Sequence, residues 1–308
     1  MTDRRPLLHS LAMAMILAVT LPGCGGGGAS NAADDGGGMA QPAPAPTTPP
    51  PPAPQPLQVL VPAYFYPVPG SHWEQLARSA QARPTVHITA IVNPSNGPGN
   101  KADAQFTQAL AAFTQAGGKV IGYVRSNYGK SSQADIQKHI ERYLAFYGRD
   151  QISGFFIDEM TATGTALDFY RQIHAYIKGL DAGLRVVGNP GTLPIADYAA
   201  VADTLVTFEG SASAYASFNP LPNHGWVLGQ VNSKQAMLVH DANDCRAMQA
   251  SLGTAASERG NTGWVYATNL HYDYATDSGN PWAALPAHWE RMLDTVDAIN
   301  QGRPLPDC

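Results

Sequence analysis

The chain has 308 residues with 24 acidic and 19 basic side chains, a net charge of −5. That balance lacks the basic stripe by which nucleic acid is held, and so argues against a nucleic-acid partner. Its apolar fraction, 44%, is enough for a sizeable core, but the first sixth of the chain is built differently from the rest.

Arg4 and Arg5 precede an apolar stretch from Leu11 to Leu21, and Leu21-Pro22-Gly23-Cys24 then reads as a lipobox-like cleavage site. This is the pattern of an export signal that is removed rather than folded, and the stretch falls short of the ~20 residues a membrane span needs. We read residues 1–23 as a lipoprotein signal peptide and Cys24 as its acylation site. An ordinary secretory signal is the plainer alternative, because Pro22 is unusual just before the small residue. The expected location is the bacterial cell envelope, lipid-anchored at the outer membrane on its periplasmic or surface face. Residues 24–56 run from Gly25-Gly26-Gly27-Gly28 into the Pro/Ala tract Gln41 to Pro56 without hydrophobic periodicity. They read as a tether, coiled in the Gly-rich half and extended at ~3.1 Å per residue in the Pro-rich half.

Residues 57–308 match the about 250 residues of one (β/α)8 barrel. Short β-rich runs alternate with helical segments: Gln58 to Tyr66, Thr85 to Val92, Lys119 to Arg125, Ile152 to Ile157, Arg185 to Gly188, Thr204 to Phe208, Ala236 to His240 and Gly263 to Ala267. Several are almost continuously apolar, as parallel strands buried on both faces must be. Between them, Leu167, Tyr170, Ile173, Ile177 and Leu180 form a stripe at helical spacing, with Gly183 just beyond, and Ser132 is placed to cap a helix with Asp135 near its start. Asn219-Pro220-Leu221-Pro222-Asn223 breaks the unit after Glu209, where we expect a short helix and an irregular loop. An open doubly wound sheet competes with closure, but no Gly-x-Gly-x-x-Gly follows the first strand to suggest a dinucleotide cofactor. Cys245 and Cys308 are an even pair once Cys24 is acylated, so a disulfide pinning the C-terminus is expected, with free thiols as the alternative.

Chemistry is expected where strands stop. Asp158 and Glu159 end one apolar run and Glu209 ends another. Charge at the tip of a buried strand is costly unless paired or used, and the C-terminal rim is where barrel enzymes use it. If Asp158 points inward, so do Phe156 and Gly154; if Glu209 points inward, strict alternation takes Thr207 and Leu205 with it and leaves Val206 and Phe208 outside. Glu159 would then face away from Asp158, as a supporting partner or a rim ion pair. Two carboxyl groups facing across a sugar ring are the equipment of glycoside hydrolysis. In the alternative structural reading, Asp158 caps the next helix and Glu209 pairs with Arg125 or Lys234.

Aromatic side chains crowd the strand ends, among them Tyr64, Tyr66, Tyr128, Trp226, Tyr266, Tyr272, Tyr274 and Trp282, and sugar rings stack on such faces. For Tyr266, core packing is the stronger explanation. Asn93, Asn189, His240, Asp241 and Asn269 stand where hydroxyl-recognising groups would be needed. The nine His residues show no paired ligand spacing and no Cys-x-x-Cys is present, so neither metal nor cofactor is expected. Gly210-Ser211-Ala212-Ser213 lacks the flanking glycine of a nucleophile elbow.

One set of motifs recurs in order: Val61-Pro-Ala-Tyr-Phe-Tyr-Pro67 with Gly70 and Trp73; Val92-Asn-Pro-Ser-Asn-Gly-Pro-Gly99; Val120-Ile-Gly-Tyr-Val124 with Tyr128-Gly129; Gly154-Phe-Phe-Ile-Asp-Glu159; Gly188-Asn-Pro-Gly191; Phe208-Glu209; Leu238-Val-His240; and Asn280-Pro-Trp282 with Leu285-Pro286 and Trp289. In these the chain resembles the spherulin-4-like family, spherulation-specific family 4, which includes glycoside hydrolase family 135. The resemblance implies a (β/α)8 barrel that cleaves α-1,4-linked N-acetylgalactosamine or galactosamine within an exopolysaccharide, with retention. It places Asp158, Glu159 and Glu209 at the catalytic positions, Asp158 as general acid/base and Glu209 as nucleophile, with the exchanged assignment also open. Tyr64, Tyr66, Asn93, Arg125, Tyr128, Asn189, His240, Tyr266 and Asn269 are the expected substrate contacts. The reading is thus a monomeric, envelope-anchored endo-glycosidase acting on an aminosugar polysaccharide, and the competing one is a non-catalytic polysaccharide-binding lipoprotein on the same barrel.

Overall fold

A computed structural model describes residues 53–308. The signal peptide, Cys24 and the tether as far as residue 52 lie outside the described residues. Eight parallel strands close into a barrel in sequence order: β1 (Gln58–Ala63), β2 (Ile88–Val92), β3 (Lys119–Arg125), β4 (Ile152–Asp158), β5 (Arg185–Gly188), β6 (Thr204–Ser211), β7 (Gln235–His240) and β8 (Trp264–Ala267). Closure removes the open-sheet alternative. The outer layer is α1 (His72–Ala82), α2 (Ala104–Gln115), α3 (Gln133–Tyr147), α4 (Leu167–Leu180), the single turn α5 (Ala212–Tyr215), α6 (Cys245–Ala256) and α7 (Trp289–Asn300). A 3₁₀ turn, Ala196–Ala200, stands between β5 and β6. After α5 the chain passes through a cis Leu221–Pro222 bond and two 3₁₀ turns, Gly225–Gly229 and Asn232–Lys234, before β7.

Local sequence explains the elements. The side chains of Asp103, Ser132 and Asp244 accept backbone N–H groups at the starts of α2, α3 and α6, satisfying donors a helix leaves unpaired. On α4, Leu167, Tyr170, Ile173 and Ile177 are the buried stripe. Strand register demands small residues at two points: a Cβ on Gly154 would lie 2.2 Å from the Arg185 carbonyl oxygen, and one on Gly122 would lie 2.7 Å from the Tyr143 ring.

The register of β6 departs from strict alternation. Val206 stands level with Ala236, whereas Phe208 is level with Met237 and Glu209 with Leu238. Three residues of β6 therefore span two of β7, a bulge at Thr207. By register the residue sharing Glu209's face is Val206 rather than Leu205, which stands level with Gly188 on the face of Ile157. Bulges re-aim side chains, and this one corrects the simple phasing while still turning Glu209 inward.

The barrel seam is short, with Gln58 level with Trp264 and Val59 with Val265. Two asparagines reinforce it by imitating a strand. Asn232 accepts from Gln55 N at 2.7 Å and donates to Gln55 O at 2.8 Å; Asn300 accepts from Leu57 N at 2.6 Å and donates to Leu57 O at 2.9 Å. Ordered pairing thus begins at Gln55, just inside the stretch read as tether. Trp289 of α7 donates to Ser79 of α1 at 2.9 Å, and Arg83 pairs with Glu290 and Asp294. Cys245 and Cys308 are joined by a disulfide.

Candidate active site

Asp158 ends β4, Glu209 lies near the end of β6, and Asn189 follows β5, the strand between them. Asn189 Nδ2 donates to both acids, at 2.8 Å to Asp158 Oδ1 and 2.7 Å to Glu209 Oε2. Its Oδ1 accepts from Gly191 N at 2.9 Å, so the amide can present only its nitrogen to the acids. Glu209 N returns a bond to Gly191 O at 3.0 Å. Asn189-Pro190-Gly191, with Gly191 at φ 67°, is therefore a small frame that ties β5 to β6 and holds the carboxylates on either side of one NH₂ group.

Tyr123 of β3 hydrogen-bonds Asp158 and packs edge-on against Tyr64 at 5.6 Å between ring centroids. Burial, followed by the negative charge of Asp158, pushes both phenols far above their ordinary range, so they remain protonated donors. Burial also raises Asp158, against bonds from Tyr123, the Glu159 backbone N–H and Asn189 that favour its ionised form. Glu209 is pushed up to about 7 by burial and then by the charge of Asp158, offset only by Asn189. Two acids sharing one amide compete to ionise, and the one with fewer donors keeps the proton near neutral pH.

The loop after β3 is bonded to the end of β4. Ser126 Oγ lies 2.7 Å from Asp158 O and 2.8 Å from Glu159 O, its one hydrogen shared between the two carbonyls, and Tyr128 N donates to Glu159 O at 2.7 Å. These bonds hold Asn127, Tyr128 and Glu159 at φ 50°, 55° and 53°, a left-handed backbone that non-glycine residues adopt at a cost. The turn at Glu159 directs its carboxylate to Arg125, with Nε–Oε1 at 2.8 Å. The partner of Arg125 is thus Glu159, not Glu209. Tyr128 is pushed up to about 12 by burial and by the charges of Glu159, Asp158 and Glu209.

Across the mouth, β9 (Tyr272–Asp273) and β10 (Ser278–Gly279) form a small hairpin. Tyr274 in its turn bonds His240 Nε2 at 2.8 Å, His240 Nδ1 meets Asp241 Oδ2 at 2.6 Å, and His271 Nδ1 meets Asp241 Oδ1 at 2.6 Å. Tyr272 and Tyr274 stand edge to face at 4.8 Å, and both are pushed up to about 12, by burial first and partly by the charge of Glu209.

The structure therefore gathers Tyr64, Arg125, Tyr128 and Asn189 around the three acids and holds His240, at the end of β7, in the Asp241–Tyr274 network. The other four expected contacts carry local bonds instead. Tyr66, 51% exposed, bonds Asp103 at the start of α2. Asn93 accepts from Gly97 N at 2.7 Å, and Asn269 accepts from Ala287 N at 2.7 Å. Tyr266 is fully buried against Trp282. Sequence reasoning missed Tyr123, Ser126 and His271. The available signal for Tyr123 was a tyrosine in a buried strand two residues before Arg125, hence on the same face.

The solved structure of Aspergillus clavatus Sph3 in complex with GalNAc is similar to this chain, with a TM-score of 0.63 and 23% identity over 78% of this chain and 97% of that one. At that identity the likeness speaks for the barrel fold. Spherulin-4 of Physarum polycephalum is 32% identical over 160 residues, 52% of this chain and 46% of the relative, so the match spans about half of that relative's length. The family model described as spherulation-specific family 4 matches residues 58–296, from the first barrel strand into the last helix. The chain belongs to spherulation-specific family 4.

Proposed function

We propose that the protein is an endo-acting glycoside hydrolase that cleaves α-1,4-linked N-acetylgalactosamine or galactosamine polymer with retention. The observation that carries this reading is the pair Asp158 and Glu209 bridged by one Asn189 nitrogen. Their nearest oxygens are no farther apart than the two bonds of 2.8 and 2.7 Å laid end to end. That separation accords with the about 5–5.5 Å of retaining enzymes and leaves little room for the water an inverting enzyme holds at ~6.5–9.5 Å.

The electrostatics favour the exchanged assignment of roles. Glu209, held protonated to about pH 7, donates its proton to the glycosidic oxygen as the bond to the anomeric carbon breaks. Asp158, with three donors favouring its charge, attacks that carbon to form a glycosyl ester. Ionised Glu209 then takes a proton from water, whose oxygen displaces Asp158 and restores both acids. Glu159 is the rim ion pair that orients Arg125, and its buried Oε2 has no partner among the described residues, an acceptor suited to a sugar hydroxyl. GalNAc bound to the structurally similar Sph3 agrees with an aminosugar substrate. The lipobox-like Cys24 supports anchoring in the envelope, which labelling with a clickable palmitate analogue would test.

The direct test incubates residues 53–308 with galactosamine polymers of defined acetylation and follows products by mass spectrometry. Oligomers of several lengths are expected, absent from Asp158→Asn and Glu209→Gln. Saturable binding without products from the parent would instead support a binding lipoprotein.

A further inference from the structure

The hairpin tyrosine Tyr274 is joined to the barrel through a chain of bonds whose proton directions can be worked out. Asp241 is flanked by two imidazole nitrogens at 2.6 Å each, from His240 and His271. Burial works against its charge, but the bonds from His271 and His240 outweigh it and hold the carboxyl below its ordinary range. An ionised carboxylate only accepts, so His240 Nδ1 carries a hydrogen and donates it. His240 is 1% exposed, and burial lowers its affinity for a second proton. Its Nε2 is then an unprotonated acceptor, and the bond of 2.8 Å to Tyr274 Oη must be donated by the phenol. The Tyr274 hydrogen is thereby committed to His240.

We propose that Asp241 and His240 fix Tyr274 as an obligate hydrogen-bond acceptor at the C-terminal mouth of the barrel, which favours a sugar presenting a donor there, hydroxyl or N–H, over one presenting only an acceptor. The placement fits such a group. Tyr274 is 49% exposed although its hydroxyl is tied to His240 at the end of β7, and the Tyr272 ring stands edge-on beside it. A phenol with a mobile hydrogen would accept or donate according to the ligand. With its hydrogen withdrawn it discriminates, because an acceptor that gives up water to face a ligand acceptor gains no bond in return. Asp241 and His240 are positioning residues here, acting through Tyr274. The inference rests on the aminosugar reading above and names how that sugar is recognised.

Two measurements test it separately from catalysis. Long-range ¹H–¹⁵N correlation spectra of the folded domain, with His240 assigned through His240→Gln, should show protonated Nδ1 and unprotonated Nε2; protonated Nε2 would overturn the proposal whatever the activity. Titration of Glu209→Gln protein with galactosamine and N-acetylgalactosamine oligomers then reads recognition without turnover. Adding Tyr274→Phe should weaken binding about ten-fold. Equal weakening for the two oligomers assigns the donor to a shared hydroxyl or to either form of the nitrogen, and a larger loss for one assigns it to the free or the acylated amine. In the active protein the same substitution should fall on KM rather than kcat. Affinity and KM both unchanged in a folded Tyr274→Phe protein would refute the role. A parent that binds these oligomers without cleaving them would overturn the enzyme reading and leave this one standing.

Discussion

Asn189 gives one amide hydrogen to each acid, so replacing it alters two charges at once. Asn189→Ala is expected to lower kcat/KM on the order of 10²-fold, the cost of losing one oriented donor at a reacting centre. Because its bonds pull both carboxyls down, the alkaline limb of the pH–activity profile should also move to higher pH in the variant. Glu209 makes a second prediction, on stability. Its folded pKa of about 7 lies above the ordinary value of 4.5, so the folded state holds the proton more tightly than the unfolded chain. The resulting stability is complete below about pH 4.5 and is lost as pH rises through 7. Glu209→Gln cannot ionise; it should match the parent near pH 4 and exceed it at pH 8, by ~1.4 kcal/mol for each unit of the shift, read from urea midpoints. The acids themselves were legible in the sequence because charge at a strand tip is conspicuous. Tyr123 was not, since a tyrosine in an apolar strand reads as core until its hydroxyl finds Asp158. Nor was the turn of Glu159 toward Arg125, because only the left-handed backbone, held by Ser126 and Tyr128, reverses the strand's alternation.

At the scale of elements, β4 and β6 place the acids and each depends on a local exception. In β4, a methyl group on Gly154 would press on the Arg185 carbonyl oxygen at 2.2 Å, a backbone atom of the neighbouring strand that cannot swing aside. Gly154→Ala should destabilise the domain by about 1–3 kcal/mol in thermal melts, and residual activity should fall with the folded fraction. In β6 the bulge at Thr207 lets Glu209 face inward although Leu205 does not. Strand positions were readable from continuous apolar runs, and β3 and β5 keep the bounds those runs suggest. The bulge was not, because an extra residue changes register without changing composition. The β9–β10 hairpin also escaped notice, its strands being only two residues each and stabilised by side-chain bonds rather than apolar alternation.

For the whole molecule, closure joins the first and last thirds of the domain through a narrow seam, and the disulfide secures the C-terminus to α6 across 63 residues. Tying a loop of that length removes unfolded-chain entropy equivalent to about 4 kcal/mol. Cys308→Ser is therefore expected to lower the urea midpoint markedly while leaving KM unchanged, since the acids stand on β4 and β6. The count of eight strands, and with it the barrel, was legible from the alternation of short apolar runs with helical stripes. The asparagine clasps of the seam were not, because Asn232 and Asn300 meet Gln55 and Leu57 only after the barrel has closed.

Those clasps have a practical meaning. Parallel strands all begin at one face of the barrel, so the chain enters through Gln55 and Leu57 at the end opposite Asp158 and Glu209. A domain immobilised on a bead through a residue placed just before Gln55 would hold its cleft toward the surrounding liquid, able to meet a polymer too large to diffuse into a crevice. Coupling through the turn that carries Tyr274 would set the cleft against the bead, and the two orientations should differ sharply on insoluble polysaccharide while performing alike on short oligomers.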